Sequence, residues 1–145
     1  MPLVSEAERA YTAGIIDGEG CIRMQRGTFG LDVSVGNTDL VLLAWLHQRW
    51  GGKIYPNRSI KIRNAKPFFH WRVCSKEAFP LLRDVLPFLV VKQDRAAKAL
   101  ELEEFHYKQN NYLPGYNESM RKKRIEIYDS LKAMNRRGLK AVGAE

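Results

Sequence analysis

Asp17 and Glu19 stand two residues apart at the end of a short run, Thr12-Ala13-Gly14-Ile15-Ile16-Asp17-Gly18-Glu19-Gly20, whose other members are mostly small or apolar. A carboxylate is the ligand type that a hard divalent cation takes. Hydrolysis of a phosphodiester calls for such a cation, because charge developing on the attacking and leaving oxygens must be neutralised. By residue type alone both are equally ordinary acids at a helix end. Other metal chemistry finds no footing: His47, His70 and His106 lack ligand spacing, and Cys21 and Cys74 are too few and too far apart for a zinc site or a disulfide framework.

The elements that must position these acids can be read from capping and periodicity. Ser5 followed by Glu8 is a capping box, which predicts a helix over Ala7 to Asp17. Ala10, Gly14 and Gly18 recur every four positions and stack on one side of it. Glycine inside a helix costs about 1 kcal/mol relative to alanine, so that spacing points to close approach of another backbone. From Gly20 the period becomes two: Ile22 and Met24, then Leu31, Val33 and Val35, alternate with polar residues around a turn at Gly27 to Gly30. Asn37 or Thr38 is expected to cap a second helix, Asp39 to Trp50, stopped by Gly51-Gly52. A second hairpin is predicted from Lys53 to Ile62 and from Phe68 to Cys74. Ser75 or Pro80 then starts a helical region, Val91 to Tyr107 reads as a helix, and Glu118 to Arg137 as a last one. Tyr11, Trp45 and Trp50 have core-like spacing.

A chain of 145 residues with 45% apolar content fits one core domain. The net charge of +8 favours polyanions, and its distribution sharpens the point. Residues 20–75 carry nine Lys or Arg against two acids, residues 76–116 six of each, residues 1–19 sum to −3 and residues 117–145 to +4. The first basic block falls on predicted strands, where alternation can gather it onto one face, although a solvated charged face would look the same. No run of 18 apolar residues and no leader-like opening occurs, so the expectation is a soluble, intracellular protein that does not engage a membrane.

The segment Thr12–Gly20 resembles the signature of the LAGLIDADG homing endonucleases, with small residues at its second and third places and acids at its sixth and eighth. The likeness continues through Asn37-Thr38-Asp39, Gly51-Gly52, the Trp71 strand and Leu86-Pro87-Phe88-Leu89 with Lys92, covering about residues 6–107. It implies an α+β fold, an αββαββα domain with a curved antiparallel sheet. The core is expected over residues 1–107, a linker over 108–117, and a basic C-terminal helix and tail over 118–145. The resemblance further implies a homodimer that cleaves double-stranded DNA with Mg²⁺ or another divalent metal such as Mn²⁺. Glu19 matches the acid that ligates the metal, at a place where aspartate is commoner, and the Gly20 carbonyl can add an oxygen. Lys92 matches a basic residue near the reacting phosphate; a solvated lysine at a helix start is the plainer reading. Asp17 matches the more structural acid. One carboxylate holds Mg²⁺ poorly, but two copies packed through Ala10, Ala13, Gly14, Asp17 and Gly18 would bring two Glu19 side chains to a shared axis. Val35, Gly36 and Asp39 depart from the family, which often carries polar or basic groups there.

DNA would be read by the polar strand faces: Arg23, Gln25, Asp32 and Ser34 on the first hairpin, Tyr55, Asn57, His70 and Arg72 on the second. Arg and Gln pair bidentately with guanine and adenine edges, and a β-ribbon of eight to ten residues spans about ten base pairs. A dimer would then cover a long pseudo-palindromic site. Arg26, Thr28, Arg58, Lys61, Arg63 and Lys66, near turns, suit phosphates better. The run Arg121-Lys122-Lys123-Arg124 and the pair Arg136-Arg137 point to backbone anchoring by the last helix, unless it simply packs through Ile127 and Leu131. A binder that keeps the fold without cleaving, such as a maturase or regulator, is the alternative function. A generic basic structural protein would explain the charge but not the glycine and acid pattern.

Overall fold

A computed structural model describes residues 3–27, 29–57, 67–103 and 118–136. Helix α1 spans Glu6–Glu19, β1 Gly20–Met24, β2 Leu31–Asn37, α2 Leu40–Trp50, β3 Lys53–Pro56, β4 Phe69–Cys74, α3 Ser75–Val85, α4 Gln93–Leu100 and α5 Glu118–Arg136, with a 3-10 turn over Leu86–Phe88. The chain is α+β, with five α-helices and a four-stranded antiparallel sheet in the order β1-β2-β4-β3 among the described residues. The αββαββα order expected from the sequence is present. None of the described helices is long and apolar enough to cross a membrane.

Helix α1 starts where Ser5 Oγ accepts the Glu8 N–H at 3.2 Å. It ends at Gly20, where a side chain has no room: a Cβ there would lie 2.7 Å from Ile16 Cα. The register Gly20↔Val35, Ile22↔Val33 and Met24↔Leu31 puts the alternating apolar residues on one side of the sheet, with Trp71 and Val73 of β4 beside them. All of these are buried, together with Ala13 and Ile16 of α1, Leu43 and Leu46 of α2, and Phe79, Leu82 and Val85 of α3. The helices therefore cover one face of the sheet, and its other face is left to polar side chains.

Several sequence expectations are corrected. The α2 cap is neither Asn37 nor Thr38: Asp39 Oδ1 accepts the Val41 N–H at 2.9 Å, while Asn37 Oδ1 accepts the Asp39 N–H at 2.8 Å. β3 ends at Pro56 rather than Ile62, and residues 58–62 lie outside the described part. Helix α3 runs from Ser75 straight through Pro80, which occupies an exposed position in the middle of the helix. Helix α4 begins at Gln93, not Val91, with Lys92 outside helical geometry at φ −106°, ψ 15°, and the N–H groups of Val90, Val91 and Lys92 go to the Asp17 carboxylate. The expected extension to Tyr107 and the linker over 108–117 lie almost wholly outside the described residues.

Helix α5 packs back on the domain through buried Ile127 and Leu131. Asn135 Nδ2 donates to the Ile22 carbonyl at 3.0 Å, Arg95 Nη2 to the Met134 carbonyl at 3.2 Å, and Tyr128 meets Phe29 edge-to-face. Arg124, expected to face phosphates, is buried, whereas Arg121, Lys122 and Lys123 are exposed.

Candidate active site and nucleic-acid face

The two acids of α1 have opposite surroundings. Asp17 turns toward the chain: its carboxylate receives the backbone N–H groups of Val90 at 2.8 Å, Val91 at 3.1 Å and Lys92 at 2.9 Å. Glu19 is exposed at the helix end, where its Oε2 accepts from Asn37 Nδ2 at 2.7 Å. Asn37 has no part in the sequence-derived site. Its signal was the register, since Val35 opposite Gly20 puts Asn37 just beyond the start of β1 and beside Glu19. Val35 itself points into the core, and a Cβ on Gly36 would sit 2.7 Å from the Phe68 ring, so neither position could carry a polar group toward Glu19. Asn37 supplies it instead.

Lys92 closes the same helix end. Its Nζ donates to the carbonyls of Ile16 at 2.7 Å, Asp17 at 3.1 Å and Gly20 at 2.6 Å. These are carbonyls that a helix C-terminus leaves unpaired and that carry partial negative charge, so an ammonium is well matched to them. Burial pushes the Lys92 pKa down, with Arg95 adding to the fall and Cys21 and Asp17 opposing it. The three carbonyl acceptors favour the charged form.

Among the described residues no three His, Cys, Asp or Glu side chains gather to hold a metal. One chain thus offers a divalent cation the Glu19 carboxylate and, from the Gly20 carbonyl, only the lone pair that Lys92 Nζ does not already take. That donor set fits Mg²⁺, which keeps several waters and is commonly held by one or two carboxylates plus substrate phosphates. It does not fit zinc.

Among the described residues the side of α1 that carries Gly14 and Gly18 is open: a Cβ at either would meet none of their atoms within 4 Å. Ala10, Gly14, Gly18 and Glu19 line a shallow groove there with Ile15 and Asn37. Ala13 and Asp17, expected on that same side, are not. Ala13 is 0% exposed in the domain's own core, and the Asp17 carboxylate is committed to residues 90–92. A helix turns 100° per residue, so positions 13 and 17 flank the stripe through 10, 14 and 18 on the side where the domain's own core and residues 90–92 reach them first.

On the sheet's outer face the structure gathers Arg23, Ser34, Tyr55, His70 and Arg72, with exposed Lys53 as an addition that alternation with Tyr55 already implied. Asp32 shares their parity but is fully buried: Arg23 Nη2 reaches Oδ2 at 3.3 Å and Arg72 Nε lies 3.2 Å from Oδ1. It cannot contact DNA as expected, because the two arginines cover it. Asn57 Nδ2 donates to His70 Nε2 at 3.0 Å, which requires a ring unprotonated at that nitrogen. Burial lowers the His70 pKa, with Arg72 and Arg23 contributing. Gln25 and Arg26 are exposed beside the turn. Thr28, Arg58, Lys61, Arg63 and Lys66 lie outside the described residues.

No protein-family model matches the chain, and no curated protein sequence does. Solved structures do. The homing endonuclease I-CvuI, in complex with an I-CreI target and magnesium, superposes with a TM-score of 0.70 at 18% identity, over 89% of this chain and 82% of that one. The archaeal intron-encoded homing endonuclease I-Vdi141I complexed with DNA gives 0.68 at 15%, over 89% and 84%. The LAGLIDADG meganuclease I-AabMI bound to uncleaved DNA gives 0.57 at 21%, with 83% of this chain matching only 43% of that longer one. At such identities the likeness establishes the fold.

Proposed function

We propose that this chain, which has the fold of the LAGLIDADG homing endonucleases, is a sequence-specific endonuclease that makes metal-dependent double-strand breaks in a long pseudo-palindromic DNA site as a homodimer. One observation carries the reading: Glu19 is exposed at the end of α1, beside a row of glycines that none of the described residues covers. A second copy packed along Ala10, Gly14 and Gly18 would bring two Glu19 carboxylates to one axis, one for each strand.

The Glu19 carboxylate and Gly20 carbonyl are the residues that would hold Mg²⁺ or a similar cation, which supplies charge neutralisation at a reacting phosphate. Asn37 orients Glu19 through its amide. Lys92 fixes the end of α1 and adds positive charge where a polyanion would lie. The outer sheet face, with Arg23, Ser34, Tyr55, His70 and Arg72, suits the major groove, and exposed Arg26 suits phosphates. The proposed site for DNA extends to Gln25 and Asn57.

The test is incubation of the full chain with duplexes carrying candidate intron- or intein-insertion sites and Mg²⁺. Cleavage at one site is the expected result; neither cutting nor preferential binding at any of them would refute the reading. A non-cleaving regulator or maturase is supported by the thin donor set beside Glu19, where Asn37 alone stands for the family's polar groups. Specific binding without metal-dependent nicking would select it.

A further inference from the structure

We infer that Asp32 is a positioning residue that fixes Arg23 and Arg72 as one base-reading unit on the outer face of the sheet. The inference rests on the DNA-binding reading above. Asp32 sits on β2, the strand between the two arginines; Arg23 is directly opposite it on β1, and Arg72 is the diagonal neighbour on β4, since Ser34 pairs with Arg72. Long side chains reach across both spacings. Arg23 brings Nε and Nη2 to Oδ2, each at 3.3 Å, and Arg72 brings Nε to within 3.2 Å of Oδ1, an ion pair in distance though not aligned as a hydrogen bond. The Arg72 guanidinium also lies 5.3 Å from the centre of the Tyr55 ring.

The charge balance makes this arrangement informative. A carboxylate on a face that meets polyanions repels them, and a buried carboxylate without partners is costly, so Asp32 persists there only with both cations folded over it. Its other consequence is orientation. Arg23 is held along its Nε–Nη2 edge and Arg72 by the ion pair at its Nε, which leaves Nη1 and the outward hydrogen of Nη2 for guanine O6 and N7. An arginine fixed in advance loses less side-chain entropy on binding. Because one carboxylate serves both, displacing either arginine changes the hold on the other.

The experiment selects binding sites from randomised duplexes with the full chain and with Asp32→Asn, measures affinity for selected and random duplexes across a salt series, and follows thermal unfolding. The expected result is a folded variant whose preference for guanine at the affected positions falls by about 10-fold or more. Its affinity for random duplex should rise, with the slope of log affinity against log salt steeper by about one. An unchanged selected sequence and unchanged discrimination would leave Asp32 a plain structural ion pair and overturn the inference alone. If Asp32→Asn does not fold, Arg23→Gln, Arg72→Gln and their combination decide: strongly non-additive losses of discrimination sustain the coupling, and additive losses overturn it. A parent chain that selects no sequence would overturn the DNA-binding reading itself.

Discussion

Asp17 and Lys92 hold each other twice: the Lys92 backbone N–H donates to Asp17 Oδ1 at 2.9 Å, and the Lys92 Nζ donates to the Asp17 carbonyl at 3.1 Å. The first bond ends α1 against the segment that leads into α4; the second caps the carbonyl end of α1 with a cation. Together they set the height at which Glu19 emerges two residues later.

Replacing Asp17 by Ala leaves three N–H donors without their acceptor at once, and we expect a loss of about 1–3 kcal/mol in denaturant unfolding. A change below about 0.5 kcal/mol would mean that water replaces the carboxylate without cost, since two of the three donors are near solvent.

Cleavage and binding should separate at Glu19. Glu19→Gln is expected to lower cleavage by at least about 100-fold while specific-duplex affinity changes little. Asn37→Ala, which frees the carboxylate without removing it, should cost roughly 10- to 100-fold in activity. Undiminished cutting by Glu19→Gln would remove that residue from its assigned role.

The open glycine row predicts opposite effects on folding and association. Gly14→Ala has space for its methyl and should stabilise the isolated protomer by about 0.5–1 kcal/mol. Gly14→Leu should leave the fold intact yet abolish self-association in sedimentation. A Leu variant that still sediments as a dimer would place the contact elsewhere.

His70 predicts a pH dependence. Its folded pKa is depressed by burial and by Arg72 and Arg23, so the unfolded chain takes up a proton first as pH falls. Stability should therefore decline as pH drops through the ordinary histidine range, and level off once the folded ring also titrates. Protonation would also set a ring N–H against the Asn57 amide. His70→Gln should remove that slope from urea midpoints measured across the range; an unaltered slope would assign it to other groups.

Local rules were enough for much of this. The Ser5 cap, the alternation from Gly20 to Val35 and the Gly51-Gly52 stop fix the α1, β1–β2 and α2 elements, because each depends on neighbours within a few residues. The glycine spacing and the acids at the end of α1 were legible for the same reason. Tertiary structure alone decided what lay across the sheet or between distant segments. Parity puts Asp32 on the outer face, but only the meeting of β1, β2 and β4 lets Arg23 and Arg72 bury it. By residue type Asp17 and Glu19 are alike and only the family resemblance parts them; the contacts that hold each, residues 90–92 for one and Asn37 for the other, come from distant chain. Ala13 and Gly14 are adjacent in sequence, yet the core covers the first and leaves the second bare. Periodicity assigns a side chain its direction. What waits in that direction is set by chain from elsewhere, and no short window of sequence contains it.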